Sequence, residues 1–344
     1  MTLLCIATSH AHAEDRNRLR TSDQRELVRL PVVDGRDIRF LRFSVEEPPR
    51  SRIRDITQDD YGFLWLATAS GLYRYDGYNL KHYLHEPGDP ASLSADRVFT
   101  VYKARDGALW IGTASGLDRL DPTRDGFTRY GHDPTDERSL SGAANVVHQD
   151  RDGVLWVGTS RGLDRMDPST GDFTHYRHDP RDDATLSNSA VLALHQDRRG
   201  NLWIGTTAGL NVMEKATGRI TRFRHDPADP HSLGHDYVGA IAEDRSGVLW
   251  VASSFGNGLS ALDVKTGRFT RYSFHSEEVT AQGETGANGL YVDRDGVLWL
   301  CTLGTGLLKL DPDRKRFVRY ARDPADSSTL PSDTCSRSSR MRKA

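Results

Sequence analysis

The chain has 344 residues, with 46 Lys and Arg against 48 Asp and Glu for a formal charge of -2, and 37% hydrophobic residues beside 31 Gly. That hydrophobic share is enough for a packed core, and the balanced charge leaves no basic field to draw nucleic acid or an anionic membrane. Mean hydropathy is -0.60, and no apolar run approaches the ~18 residues of a bilayer span, so no transmembrane helix is predicted.

Residues 1–13 hold a short apolar run, Leu3 to Ala7, and a small-x-small site at Ala11-His12-Ala13. This reads as the remnant of a secretory signal peptide, with a disordered terminus as the alternative. Residues 14–36 are a charged linker without period. Cys5, Cys301 and Cys335 have no C-x-x-C spacing and carry no metal or redox signal.

Residues 38–334 repeat. The six tryptophans, Trp65, Trp110, Trp156, Trp203, Trp250 and Trp299, are 45, 46, 47, 47 and 49 residues apart, in the segments FLWLAT, ALWIGT, VLWVGT, NLWIGT, VLWVAS and VLWLCT. A period of that size means one supersecondary unit per repeat, stacked because no unit can bury its own face alone. Each unit reads as four short strands: in the second, Val98 to Lys103, Ala108 to Thr113, Leu117 to Leu120 and Phe127 to Tyr130, parted by turn residues. The predicted fold is all-β, a β-propeller of four-stranded antiparallel blades.

The repeated positions have packing reasons. Glycine lies three residues before every Trp (Gly62, Gly107, Gly153, Gly200, Gly247, Gly296), where a hairpin needs positive φ. Two residues after each Trp the side chain is small (Ala67, Gly112, Gly158, Gly205, Ala252, Cys301), so a neighbouring sheet can approach while the ring fills the space between blades. His85, His132, His178 and His225 recur once per repeat, about a blade apart, and cannot converge on one metal ion.

The pattern D-x-x-G-x-L-W-[IVL]-[GA]-T-x-x-G-L, closed by [LM]-D-P and F-x-[RH]-Y, resembles the two-component regulator propeller repeat, over roughly residues 38 to 334. The resemblance implies an extracytoplasmic, ligand-sensing propeller, usually seven-bladed, of the kind fused through a transmembrane helix to a histidine kinase or diguanylate cyclase. It further implies a periplasmic location, a small-molecule or glycan ligand and no output module in these residues. Phe40-Leu41-Arg42-Phe43 matches Phe127-Thr128-Arg129-Tyr130 and predicts an orphan N-terminal outer strand before six complete blades. The expectation is an incomplete seven-bladed ring with residues 335–344 as a basic tail foreign to the repeat. A six-bladed ring with a spare strand is the alternative.

No catalytic constellation is found. The carboxylates sit at repeat positions such as Asp121, Asp167, Asp263 and Asp311, which does not supply the paired cleft of a glycosidase. The Asp-box of sialidases needs Asp five residues before Trp, where this chain has Asp60, Arg105, Arg151, Arg198, Arg245 and Arg294. P-loop, dinucleotide and G-x-S-x-G motifs are absent. The expected function is therefore non-enzymatic sensing without cofactor or metal. A carbohydrate-active propeller enzyme (lyase or glycosidase) and a protein-interaction scaffold are the alternatives.

Function in a symmetric scaffold is expected where the repeat breaks. The loop Ser254-Phe255-Gly256-Asn257-Gly258 gains two residues, Leu303-Gly304-Thr305-Gly306 gains one, and the linker between those blades loses its Asp-Pro. All three belong to one face. The predicted ligand residues are Phe255, Asn257, Asn288 and Tyr291, with Asn145 and Arg161 reaching in from the third blade.

Overall fold

The computed structural model describes residues 27–40, 49, 51–255, 258–274, 286–311 and 313–335. They fall into two compact units, one of residues 51–222 and one of residues 27–40 with 223–335. Every regular element among them is a strand.

The second unit starts with two short strands, β1 (Leu27–Arg29) and β2 (Val32–Asp34). The first unit carries four meander sheets. Blade 1 is β3 (Ile53–Gln58), β4 (Leu64–Thr68), β5 (Gly71–Tyr75) and β6 (Leu80–Tyr83). Blade 2 is β7 (Val98–Lys103), β8 (Leu109–Thr113), β9 (Gly116–Asp121) and β10 (Gly126–Gly131). Blade 3 is β11 (Ala144–Gln149), β12 (Leu155–Thr159), β13 (Leu163–Met166) and β14 (Phe173–Tyr176). Blade 4 is β15 (Val191–Gln196), β16 (Leu202–Thr206), β17 (Gly209–Glu214) and β18 (Arg219–Phe223). The second unit holds blade 5, β19 (Ala240–Glu243), β20 (Leu249–Ala252), β21 (Leu259–Asp263) and β22 (Arg268–Ser273). Its blade 6 is β23 (Ala287–Val292), β24 (Leu298–Thr302), β25 (Leu307–Leu310) and β26 (Phe317–Tyr320). The six antiparallel blades of a β-propeller are those the Trp period predicts.

The N-terminal reading differs in detail. The tract expected to be an aperiodic linker supplies β1 and β2, which pair in parallel with β22 and β26 and make blades 5 and 6 five-stranded. Three residues are too few to show a period. Phe40 is buried against Trp299 and Tyr320 outside any strand, and the rest of the expected outer strand, 41–43, lies outside the described residues. So do the signal-peptide residues and the basic tail beyond Cys335.

The second strands of blades 1, 2, 3 and 5 are buried on both faces, because their rings and branched side chains press into the next blade of the same unit. Trp65 and Ala67 cluster with Val98, Val101 and Ile111 of blade 2, and Trp156 with Val191, Leu202 and Ile204 of blade 4. The small residues after each Trp allow this approach: a Cβ on Gly158 would collide with Val146 and Val191.

In five of the six blades one carboxylate ties the turn to its Trp. Asp59, Asp150, Asp197, Asp244 and Asp293, six residues before their tryptophans, accept the indole Nε1–H at 2.8–2.9 Å on Oδ2. Their Oδ1 atoms take two turn N–H groups each, as Asp150 does from Asp152 and Val154. The turn closes through glycine at positive φ, +86° at Gly153. In blade 2 the position is Ala104, and Trp110 is the most exposed of the six rings, 8% against 1–3%.

A second polar lock sits in the third strand. Asp118 Oδ2 accepts Ser94 N–H, Asp164 accepts Ser141 N–H and Asn211 accepts Ser187 N–H, so the linkers entering blades 2, 3 and 4 are held by those blades' interiors. Asn211 also donates to Ser187 Oγ and to the Ile204 carbonyl, whereas Asp118 Oδ1 is buried with no partner. Burial pushes the Asp118 carboxyl up to about 6, against the opposing Ser94 hydrogen bonds.

Two outcomes follow from these locks. Asp197→Ala strands the Trp203 indole and two turn amides, and should lower unfolding stability by about 2–3 kcal/mol in urea titration. For Asp118 the folded pKa lies above the unfolded one, so its contribution to stability is complete below pH ~4 and is lost as pH rises to about 6. Asp118→Asn, copying Asn211, should therefore stabilise the protein at pH 7 by about 1–3 kcal/mol and give no gain near pH 4. A gain of equal size at both pH values would mean that the carboxylate is not strained by burial.

Candidate functional site

Loops of blades 5 and 6 meet at the start of β23. Ala287 N–H donates to the Ser253 carbonyl, Leu303 N–H donates to the Gly286 carbonyl, and a Cβ on Gly286 would collide with the Ser254 backbone. Only glycine allows the second-to-third-strand loop of blade 5 to lie against the entry to blade 6 so closely. Most of the irregular linker, residues 275–285, and Asn257 lie outside the described residues.

Phe255 stands on this face and is 41% exposed, a high value for a phenylalanine. Its ring meets Tyr237 edge-on at 5.2 Å and His235 at 5.6 Å, both from the linker entering blade 5. His235 Nδ1 accepts the Tyr237 N–H at 3.0 Å, which leaves the proton of the neutral ring on Nε2 as a donor. Burial lowers the pKa of this imidazole, Asp236 opposing and His225 adding to the shift, so the neutral form is favoured. Burial also raises the Tyr237 hydroxyl. Next to them Ser254 Oγ donates to Asn288 Oδ1 at 2.7 Å, and no described residue accepts from the Asn288 amide NH2. The patch is aromatic, uncharged and supplied with hydrogen-bond donors.

The other predicted residues lie elsewhere. Tyr291 stands opposite Trp299 toward the far end of β23 and packs on the Phe40, Trp299 and Tyr320 cluster, so it is not brought to Phe255. Asn145 donates its amide to the Val191 carbonyl at 3.1 Å. Exposed Arg161 has its guanidinium 2.8 Å from His132 Nε2. Asn145 and Arg161 belong to the first unit. Asn145 and Asn288 do share a place in the repeat: each is the second residue of its inner strand, at a β-bulge.

His235 and Tyr237 escaped the sequence reading, although the signal was present. The linker reads Leu-Ser followed by small residues in LSGAA and LSNSA but LGHDY before blade 5. The repeated histidines serve loops: His85, His132, His178 and His225 each place Nδ1 at 2.6–3.0 Å from the carbonyl of the linker leucine eight residues on. Among the described residues no group of three or more His, Cys, Asp or Glu could hold a metal ion, and no helix could cross a bilayer.

Blades built on a Trp-centred strand and turn define a β-propeller. The sequence model of the two-component regulator propeller matches residues 92–115, 140–161, 185–208 and 232–255, each covering a linker with the first two strands of its blade. These four segments are two-component regulator propeller repeats. No curated protein matches the chain in sequence.

Among solved structures it is similar to the extracellular domain of a protein assigned as a hybrid two-component system of B. thetaiotaomicron, with 25% identity and a TM-score of 0.71 over 86% of this chain and 38% of that one. A second extracellular domain from that organism, assigned as a one-component system, has 21% identity and a TM-score of 0.53 over 85% and 38%. Virginiamycin B lyase from Staphylococcus aureus, at 15% identity and a TM-score of 0.58 over 78% and 84%, shares the fold. The chain thus spans well under half the length of the extracellular domains it matches.

Proposed function

We propose that this chain is a ligand-sensing propeller segment of an exported, periplasmic two-component-type receptor, and that it recognises an uncharged small molecule or glycan without chemically altering it. The observation that carries the reading is the Phe255, Tyr237 and His235 patch beside Asn288, on the face where blades 5 and 6 depart from the repeat. Aromatic faces stack on the apolar face of a sugar ring, and amide and imidazole N–H groups donate to its hydroxyls. The likeness to extracellular domains of two-component systems supports the sensing role and the location. In the family such a propeller is fused to a kinase or cyclase across the membrane.

Calorimetric titration against a panel of neutral oligosaccharides tests this. Phe255→Ala and His235→Ala should each weaken binding about tenfold, and Asn257→Ala should weaken it too, with the thermal midpoint nearly unchanged because surface loop changes stay within about 0.5 kcal/mol. The bound sugar should be recovered intact. Full-strength binding by the Phe255→Ala, His235→Ala double variant would remove the site, and conversion of the sugar would replace sensing with catalysis.

A further inference from the structure

The β-bulge near the start of the inner strand is a fixed device of the repeat, but its side chain is not. Register shifts occur between Ile53 and Asp55, Val98 and Thr100, Ala144 and Val146, Val191 and Ala193, and Ala287 and Gly289. The residues left out of the ladder are Arg54, Phe99, Asn145, Leu192 and Asn288. A bulge frees one side chain from pairing and re-aims it, and bulges are enriched beside binding sites. The backbone therefore presents one variable residue in each of these five blades.

In blades 1 and 2 these residues come together with their neighbours. The Arg54 guanidinium carbon lies 5.3 Å from the centre of the Phe99 ring, and that of Arg97 lies 5.2 Å from the same ring. One aromatic ring is shared by two cations. Arg97 occupies the position just before the inner strand, which is Ala143, Ala190 and Gly286 in blades 3, 4 and 6. The repeat does not require arginine there.

Among the described residues no carboxylate pairs with either guanidinium. Several arginines of this unit are matched: Arg74 faces Asp125, Arg222 faces Asp183, and Arg129 donates to the carbonyls of Asp89, Ser92 and Leu93. The nearby Asp96 carboxylate accepts the His85 N–H, and Asp55 accepts from Thr100 and Val101. Arg54 is half-buried, and its pKa is lowered first by burial and then by the charges of Arg97 and Arg52. Arg97 is exposed, and the half-buried Arg54 beside it carries a partly desolvated charge that an anion would neutralise.

We propose that Arg54 and Arg97, mounted on Phe99, form an oxyanion site that takes a carboxylate- or sulfate-bearing ligand through the guanidinium forks. Planar forks with several N–H donors fit such oxygens two at a time, and Phe99 fixes both by cation–π contact while offering an apolar edge to the rest of the ligand. The site is independent of the uncharged patch in blade 5, so the two can fail separately.

Thermal unfolding and calorimetry of the whole chain in inorganic sulfate, D-glucuronate and glucose, at ionic strength matched with chloride, decide it. Sulfate or glucuronate should raise the wild-type midpoint and glucose should not, since a ligand that binds only the folded state stabilises it. Whichever anion gives the larger shift names the source. Arg54→Gln with Arg97→Gln should lose at least tenfold in anion affinity and abolish the anion-dependent shift, while the midpoint without anion stays level or rises as repulsion is relieved. Arg54→Lys keeps the charge without the fork and should recover only part of the affinity. Equal anion shifts in the wild type and the double variant, or a response to chloride as large as to sulfate, would overturn the assignment.

Discussion

Five of the six blades depend on an aspartate that does two things at once. Oδ1 gathers the amides of the turn between the first and second strands, and Oδ2 receives the indole N–H of the Trp that packs toward the next blade. A buried indole needs a hydrogen-bond partner, and a charged acceptor strengthens the bond. The carboxylate thereby links local turn geometry to long-range packing. With the turn fixed, the ring is aimed; with the ring aimed, the small residue two places on can admit the neighbouring sheet. Glycine at positive φ and the linker lock through Asp118, Asp164 and Asn211 finish a unit that is stable only when stacked.

Such a scaffold separates stability from recognition. Positions that repeat hold the blades, and positions that vary lie at the bulge, the residue before it and the loop after the second strand. Blades 1 and 2 fill them with Arg54, Arg97 and Phe99, whereas the second unit fills them with Tyr237, Asn288 and Phe255. One arrangement is cationic and the other uncharged, so the same backbone offers two chemistries. Neither choice disturbs the Asp–Trp staples, which lie at the opposite ends of the inner strands.

Much of this is legible in the sequence because it is periodic. Trp spacing, turn glycines and small residues predict six four-stranded blades, and all six are present. The strands β1 and β2 are not legible, since three-residue segments joining existing edges in parallel carry no alternation of their own. The aspartate six residues before Trp is visible in the motif, but its bond to the indole needs the folded turn. At the candidate sites, Phe255 stands out in a loop that departs from the repeat, whereas Tyr291 misleads because an aromatic on the inner strand serves the core equally well. The Arg54, Phe99 and Arg97 group joins residues about one repeat apart, and only the stacking of blade 1 on blade 2 makes it a cluster.

Blade 2 provides the sharpest test, because it has the turn, the Trp and the stacking but no carboxylate. Ala104 keeps the same backbone hydrogen bond to Ala108 that Asp150 makes to Val154, so an aspartate there would meet Trp110 in the geometry of the other five blades. Urea unfolding of Ala104→Asp against the wild type measures the staple directly. A gain of about 1–3 kcal/mol is expected for a new hydrogen bond to a charged group; an unchanged or lowered stability would contradict the view that this carboxylate holds the blades together.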